Sequence, residues 1–253
     1  MNITIVVIGM GGVGSFLLAP LSKVMLDGKL GNNTVSRFIL IDGDSYETKN
    51  MNRQFFPAVC NGMNKAQAQQ LVLKTMFPDS RVEVITFPQY ITSKNIATVF
   101  EQCVGIPVIV SLVDNHACRA LLSNTVTVKA AKGEGVILIT GGNEVTDGNV
   151  TIQGWWGGTR VGVPLLERHP EVATVTEGNR EGLSCLEIAL LPGGEQTMEA
   201  NMMVAMLAYS VLLRLGSEAW VEEVSDIYFG TNPPVVRTEF REKEENDNEQ
   251  SLD

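Results

Sequence analysis

The sequence predicts an α/β protein built on a doubly wound, mostly parallel sheet. An apolar run at residues 3–8 breaks directly into glycines and then a helix. Strand-like and helix-like stretches alternate through residue 140, and acidic residues stand just past two apolar runs, at Asp42 and Asp114. A strand that opens into a glycine turn and a helix is how such sheets present ligands at their carboxyl ends, so the expected fold is Rossmann-like.

Each element follows in order. Residues 3–8 read as a buried parallel strand. Gly9, Gly11 and Gly14 stand at G-x-G-x-x-G spacing, with Gly12 between them, where absent side chains permit close backbone approach to a phosphate. A helix over 12–26 then offers unpaired N–H groups and its positive dipole end to an anion. Strands are expected at 37–41, 82–86, 108–111 and 136–140, and helices at 65–76, 94–103 and 115–130, with Pro78 and Pro107 as punctuation. After Gly142 the character changes. One more strand fits 149–153, followed by a long glycine- and proline-bearing loop over 154–184. An apolar, methionine-rich helix over 195–215 reads as a core or dimer-interface element. Late strands at 227–230 and 235–240 form an antiparallel extension, and the charged stretch 239–253 reads as a disordered tail.

Composition narrows the partners. With 44% apolar residues, a chain of 253 can bury one substantial core, or a core and a small annex. No stretch reaches the roughly 18 apolar residues of a membrane helix and no cleavable leader is seen, so a cytoplasmic protein without a membrane partner is expected. A formal net charge of -10 repels phosphate polyanions and argues against nucleic acid. Cys60, Cys103, Cys118 and Cys185 form no C-x-x-C pair, so neither zinc nor a disulfide framework is expected.

The second strand carries the deciding residues. Asp42 closes it, where nicotinamide enzymes place a ribose-binding acid, but it lies farther past the glycines than the usual 20 or so residues. Asp42, Asp44, Asn50, Arg53, Gln54 and Lys65 then crowd charged and amide groups beyond the strand end. Hydride transfer needs no such cluster; polarising a triphosphate does. Asp114 and Asn115 open the helix after the strand at 108–111. Either is an ordinary helix cap, or Asp114 is a magnesium ligand, since Mg²⁺ takes one or two carboxylates plus substrate phosphates. The cations upstream favour the second reading.

These motifs together resemble the ubiquitin-activating-enzyme-like ThiF/MoeB/HesA superfamily. Its glycine loop, D-x-D-x-V-x-x-x-N-x-x-R-Q run, following lysine and V-D-N stand here as Gly9 to Ser15, Asp42 to Gln54, Lys65, and Val113 to Asn115. In flavour the sequence is similar to ThiF-like proteins of bacterial mobile elements (PRTRC type). The resemblance implies one adenylation domain over 1–238, its nucleotide-binding part at 1–142 and its crossover loop at 154–184. It implies that Asp42 holds the ribose hydroxyls, that Gly9, Gly11, Gly12 and Gly14 line the nucleotide, and that Asn50, Arg53 and Lys65 contact phosphates. Gln54, Asp44 and Asn115 support the same nucleotide, and Asp114 binds magnesium.

The implied reaction is ATP- and Mg²⁺-dependent adenylation of the C-terminal carboxylate of a small ubiquitin-like or sulfur-carrier protein ending in Gly-Gly. Arg53, Lys65 and Asp114 are the implied catalytic residues, and a homodimer the implied assembly. Cys185 either attacks the acyl-adenylate as a thiolate or packs as a buried apolar residue. The paired C-x-x-C ligands of bacterial members are missing, and the sequence opens on its first strand where they carry an arginine-bearing arm. Arg160 is a candidate substitute, although an exposed loop arginine is the plainer reading. Trp155 and Trp156 either dock a partner's tail or anchor their loop. Two other classes stay in view: a non-catalytic scaffold subunit of a heterodimeric activating enzyme, and an NAD-dependent oxidoreductase.

Overall fold

A computed structural model describes residues 1–143, 146–174, 197–215, 217, 224–231 and 234–240. Its centre is β1 (Asn2–Ile8), buried at every position after Asn2 because it runs between two parallel neighbours, β3 (Asn33–Ile41) and β5 (Ile106–Ser111). β4 (Glu83–Phe87) extends the parallel set beside β3, and β6 (Val136–Asn143) beside β5. Strand alternation sends Ile3, Ile5 and Val7 to one face and Val6 and Ile8 to the other, each into its own apolar cluster. A parallel sheet needs cover on both faces, and gets it here. α1 (Gly12–Leu21), α3 (Lys65–Met76) and α7 (Met198–Arg214) supply Leu17, Leu73 and Val204 to the first cluster. α4 (Ile96–Glu101) and α5 (His116–Ala131) supply Val99 and Leu122 to the second. The doubly wound arrangement is therefore the one expected, with β1 flanked so that its carboxyl end opens between β3 and β5.

The antiparallel extension continues from β6 through β7 (Asp147–Trp156), β9 (Val224–Thr231) and β10 (Pro234–Phe240). On the opposite margin β2 (Lys29–Leu30) folds back on β3. None of the described helices is long and apolar enough to cross a membrane.

Three boundaries differ from expectation. The helix expected over 12–26 divides into α1 and α2 (Val24–Asp27). Pro20 lacks the N–H that would continue the ladder, and Gly28 ends the second piece at φ 66°. The loop expected from 154 is in part regular: β7 runs on to Trp156, turns at Gly157 and Gly158, and returns as β8 (Thr159–Gly162), followed by α6 (Leu165–Arg168). The glycines have φ of 61° and 93°, the two positive values of a tight hairpin turn, so Gly-Gly was a hairpin signal rather than a loop signal. Trp156 is buried and anchors this hairpin, the second of its two readings. Thirdly, Glu239 and Phe240, placed in the tail, pair with Asp226 and Val224 in the β10–β9 ladder. The remaining tail, 241–253, and the segment 175–196 with Cys185 lie outside the described residues.

Candidate functional site

The glycine turn is shaped by contact. Gly9 adopts φ 91°, its N–H donates to the Ile41 carbonyl at 2.9 Å, and a Cβ on it would lie 2.7 Å from the Leu112 carbonyl oxygen. The Leu112 N–H in turn donates to the Ile8 carbonyl at 2.8 Å. The ends of β1, β3 and β5 are thus bolted together at one point. A Cβ on Gly14 would sit 1.9 Å from the Gly9 carbonyl oxygen, and one on Gly12 2.5 Å from the Asn201 side chain. Gly9, Gly12 and Gly14 are accordingly packing glycines. Gly11 differs: its nearest neighbour would be Gln54 Nε2 at 3.9 Å, and the α1 N-terminus it begins has no side-chain cap. Open space and uncapped N–H groups coincide at Gly11, the arrangement an anion requires.

The β3 end supplies the acid. Asp42 is buried, its Oδ2 accepting the Met10 N–H at 2.6 Å and its Oδ1 the Asp44 N–H at 2.8 Å. Burial pushes its carboxyl above the usual range, opposed by Lys65 and the two N–H donors. Below, the fully buried Tyr46 donates its hydroxyl to the Met10 carbonyl at 2.9 Å and accepts from Gln69 Nε2 at 2.7 Å. Burial keeps that phenol protonated. Asn64 caps α3 by accepting the Ala66 and Gln67 N–H groups, while its Nδ2 donates to the Asp42 and Asp44 carbonyls at 2.8 and 3.0 Å. This fixes Lys65, the first residue of α3, against the turn, with its Nζ 3.3 Å from Asp44 Oδ2.

The other expected residues divide between those with hydrogen-bond or ionic partners and those without, among the described residues. Asn115 is the α5 cap, accepting the Cys118 N–H at 3.2 Å. Asp114 is exposed, with no hydrogen bond or ion pair among the described residues. Arg119 holds its turn by donating to the Val113 carbonyl at 2.9 Å and the Gly141 carbonyl at 3.3 Å. Asn50 spends its Oδ1 on the Glu47 N–H at 3.0 Å, a local cap. The Arg53 guanidinium has no ion pair among the described residues. Gln54 is buried, and its Oε1 has no hydrogen-bond partner among the described residues.

A family model described as the ThiF family matches residues 1–246. This chain belongs to the ThiF family. Ubiquitin-like modifier-activating enzyme 5 of Drosophila persimilis is 32% identical over 127 residues, covering 47% of this chain and 31% of that protein. The Arabidopsis thaliana protein of the same name is 29% identical over 127 residues, covering 46% of this chain and 27% of its own length. Among solved structures, E. coli MccB with ATP has a TM-score of 0.65 at 14% identity, over 96% of this chain and 65% of that one. PaaA has a TM-score of 0.63 at 16% identity, over 95% and 64%. The fold is thus shared with MccB and PaaA, while this chain spans less than a third of the two activating enzymes.

Within this ThiF-family chain, sequence reasoning missed four residues that build the site. Tyr46 carries the glycine turn, Arg119 the Asp114 turn, and Asn201 both Gly12 and the Arg53 carbonyl, which it reaches at 3.2 Å. Tyr90 donates its hydroxyl to Asp44. Nothing local in the sequence marks them, because each acts across 6 to 148 positions of chain. Arg160 stands exposed 3.6 Å from Glu167, as its plainer reading had it, but on the strand β8 and not in a loop.

Proposed function

We propose that this chain binds ATP at the joined ends of β1, β3 and β5 and adenylates the C-terminal carboxylate of a small protein or peptide, a ubiquitin-like or sulfur-carrier protein ending in Gly-Gly. The observation that carries the reading is the glycine turn, where Asp42 Oδ2 accepts the Met10 N–H at 2.6 Å and the α1 N-terminus has no side-chain cap. Gly11 is open, Gln54 Oε1 is an orphan acceptor, and Arg53 and Asp114 have no ionic partner among the described residues. The names of similar proteins support it: relatives are called activating enzymes, and the solved structures of MccB include the E. coli protein with ATP and a complex with N-formylated MccA.

In this reading Asp42 accepts the ribose hydroxyls on lone pairs its two N–H bonds leave free. The N–H groups at Gly11 and the Arg53 and Lys65 cations receive the phosphates. A carboxylate is a poor electrophile, so its oxygen attacks the α-phosphorus, the bond to the bridging oxygen breaks, and pyrophosphate leaves with the electron pair. Both reactants are anionic, and Arg53 and Lys65 offset their repulsion and the charge gathering on pyrophosphate. Asp114 fits a magnesium ligand, because an unpaired carboxylate at a strand end, completed by phosphate oxygens, is the donor set Mg²⁺ takes. When bound there, the ion would supply further charge neutralisation.

The same reading assigns one adenylation domain, extended from 238 to 240 by the β10–β9 pairing, and a cytoplasmic location, with Cys185 either the thiol that accepts the acyl group or a buried apolar residue. It also assigns a homodimer through α7, where Met198, Met202 and Met206 expose a stripe at four-residue spacing. The test is exchange of labelled pyrophosphate into ATP with candidate Gly-Gly-ending proteins. Carrier-dependent exchange supports the reading, and binding of NAD in preference to ATP overturns it.

A further inference from the structure

Tyr90 stands against the Gly43–Asp44 turn, three positions past β4, and is 64% exposed. It is nonetheless held at three points. Three of its ring carbons each lie 2.7 Å from where a Cβ on Gly43 would be, so the ring rests face-on over the Gly43 Cα. Its hydroxyl donates to Asp44 Oδ1, and its carbonyl accepts from Asn95 Nδ2 at 2.8 Å. Asp44 presents its other oxygen, Oδ2, to Lys65 Nζ at 3.3 Å. One carboxylate is therefore shared between a phenol and an ammonium.

We propose that Tyr90 is a positioning residue that governs, through Asp44, how firmly Lys65 is withheld from an incoming phosphate. The proposal rests on the ATP reading of the same site. A polyphosphate entering beside Gly11 competes with Asp44 for one ammonium, and the outcome depends on how much of the carboxylate's hydrogen-bonding capacity the ammonium alone must satisfy. With the phenol present, Oδ1 is occupied by a charge-assisted hydrogen bond and only Oδ2 is turned to Lys65. Without it, the carboxylate is free to rotate both oxygens onto the ammonium and bind it more tightly. The Asp44 side chain is 51% exposed, against 9% for Lys65, so water can take over Asp44 when Lys65 turns to the nucleotide. The Tyr90 hydroxyl, pushed up to about 12 chiefly by its bond to Asp44, remains a donor at neutral pH. Gly43 completes the device, because any side chain there meets the ring.

The test is a cycle of ATP affinities by titration calorimetry on the full chain, comparing wild type, Tyr90→Phe, Asp44→Asn and the double variant. Tyr90→Phe weakens ATP binding by about threefold to tenfold, the range of one ordinary net hydrogen bond. Asp44→Asn binds ATP at least as tightly as wild type, and in that background Tyr90→Phe has no further effect. Gly43→Ala displaces the ring and reproduces the Tyr90→Phe loss. In pyrophosphate exchange, Tyr90→Phe raises KM for ATP and leaves kcat at saturating ATP unchanged. Wild-type affinity in Tyr90→Phe, an undiminished Tyr90→Phe loss in the Asp44→Asn background, or weaker binding by Asp44→Asn overturns the proposal. A wild-type chain that binds no ATP removes the function reading as well, whereas ATP binding indifferent to Tyr90→Phe removes this proposal alone.

Discussion

The two ends of the sheet treat charge in opposite ways. At the joined ends of β1, β3 and β5, Asp114 and Arg53 have no ionic partner among the described residues and Gln54 has an orphan oxygen. In the antiparallel extension, the fully buried Asp226 is saturated: it accepts from Asn149 Nδ2 at 3.1 Å, Arg168 Nε at 3.4 Å, His169 Nε2 at 3.0 Å and the Tyr228 hydroxyl at 3.3 Å. A polar group left open inside a fold, as Gln54 Oε1 is among the described residues, costs free energy and persists where a ligand satisfies it, whereas a closed network fixes structure. The first region reads as a site and the second as a clamp tying α6 and the turn after it to β9.

The same truncation in the two regions should therefore have opposite consequences. Asp114→Ala is expected to lower carrier-dependent pyrophosphate exchange by roughly 1,000-fold or more, as for loss of a charge-stabilising group in a transition state. Its melting temperature should stay at the wild-type value, because the side chain holds nothing in the described structure. Asp226→Ala is expected to cost about 2–3 kcal/mol, or roughly 5–10 °C in melting temperature, because Arg168 and His169 lose their shared acceptor. Exchange per folded molecule should survive it. If Asp226→Ala abolished exchange without lowering the melting temperature, the division between site and clamp would fail.

A finer test uses pH. Asp226 and Glu171 together raise the His169 value above that of an ordinary histidine against the opposing effect of burial, since both ring nitrogens face carboxylates. The protonated ring favours the folded state. Its contribution is complete below the ordinary histidine value and disappears as pH rises through the raised one. Melting temperature should therefore fall over that interval. His169→Gln should flatten that part of the curve, and an unchanged pH profile would count against the clamp. Asp42 differs in origin: burial, not a partner, is the largest cause of its raised value. The smallest effect belongs to Arg160→Ala, expected to shift stability by less than about 0.5 kcal/mol and to leave exchange intact, because its ion pair is exposed. Loss of exchange would restore Arg160 as a catalytic substitute.

The comparison also explains what could be read in the sequence. The parallel half was legible because its signals are local: apolar runs ending in glycine or acid, and α3 beginning at Asn64, whose side chain is a cap. Gly9, Asp42, Lys65 and Asp114 could be nominated for the same reason. Their division of labour could not. That Gly14 packs on Gly9, that Asn115 and Asn50 are caps, and that Gly11 alone opens outward are facts of contact. The clamp was invisible, since Asn149, Arg168, His169 and Asp226 are drawn from β7, α6, the turn after it and β9 by pairing that no periodicity marks. The hairpin at Gly157 and Gly158 is the exception, a local signal read as a loop because a glycine- and proline-rich stretch surrounds it.

The most direct measurement is a crystal structure of the chain with ATP. The account predicts the ribose at Asp42, the phosphates over Gly11 within hydrogen-bond reach of Arg53 and Lys65, and Lys65 turned away from Asp44. A nucleotide bound elsewhere, or phosphates out of reach of both cations, would contradict it.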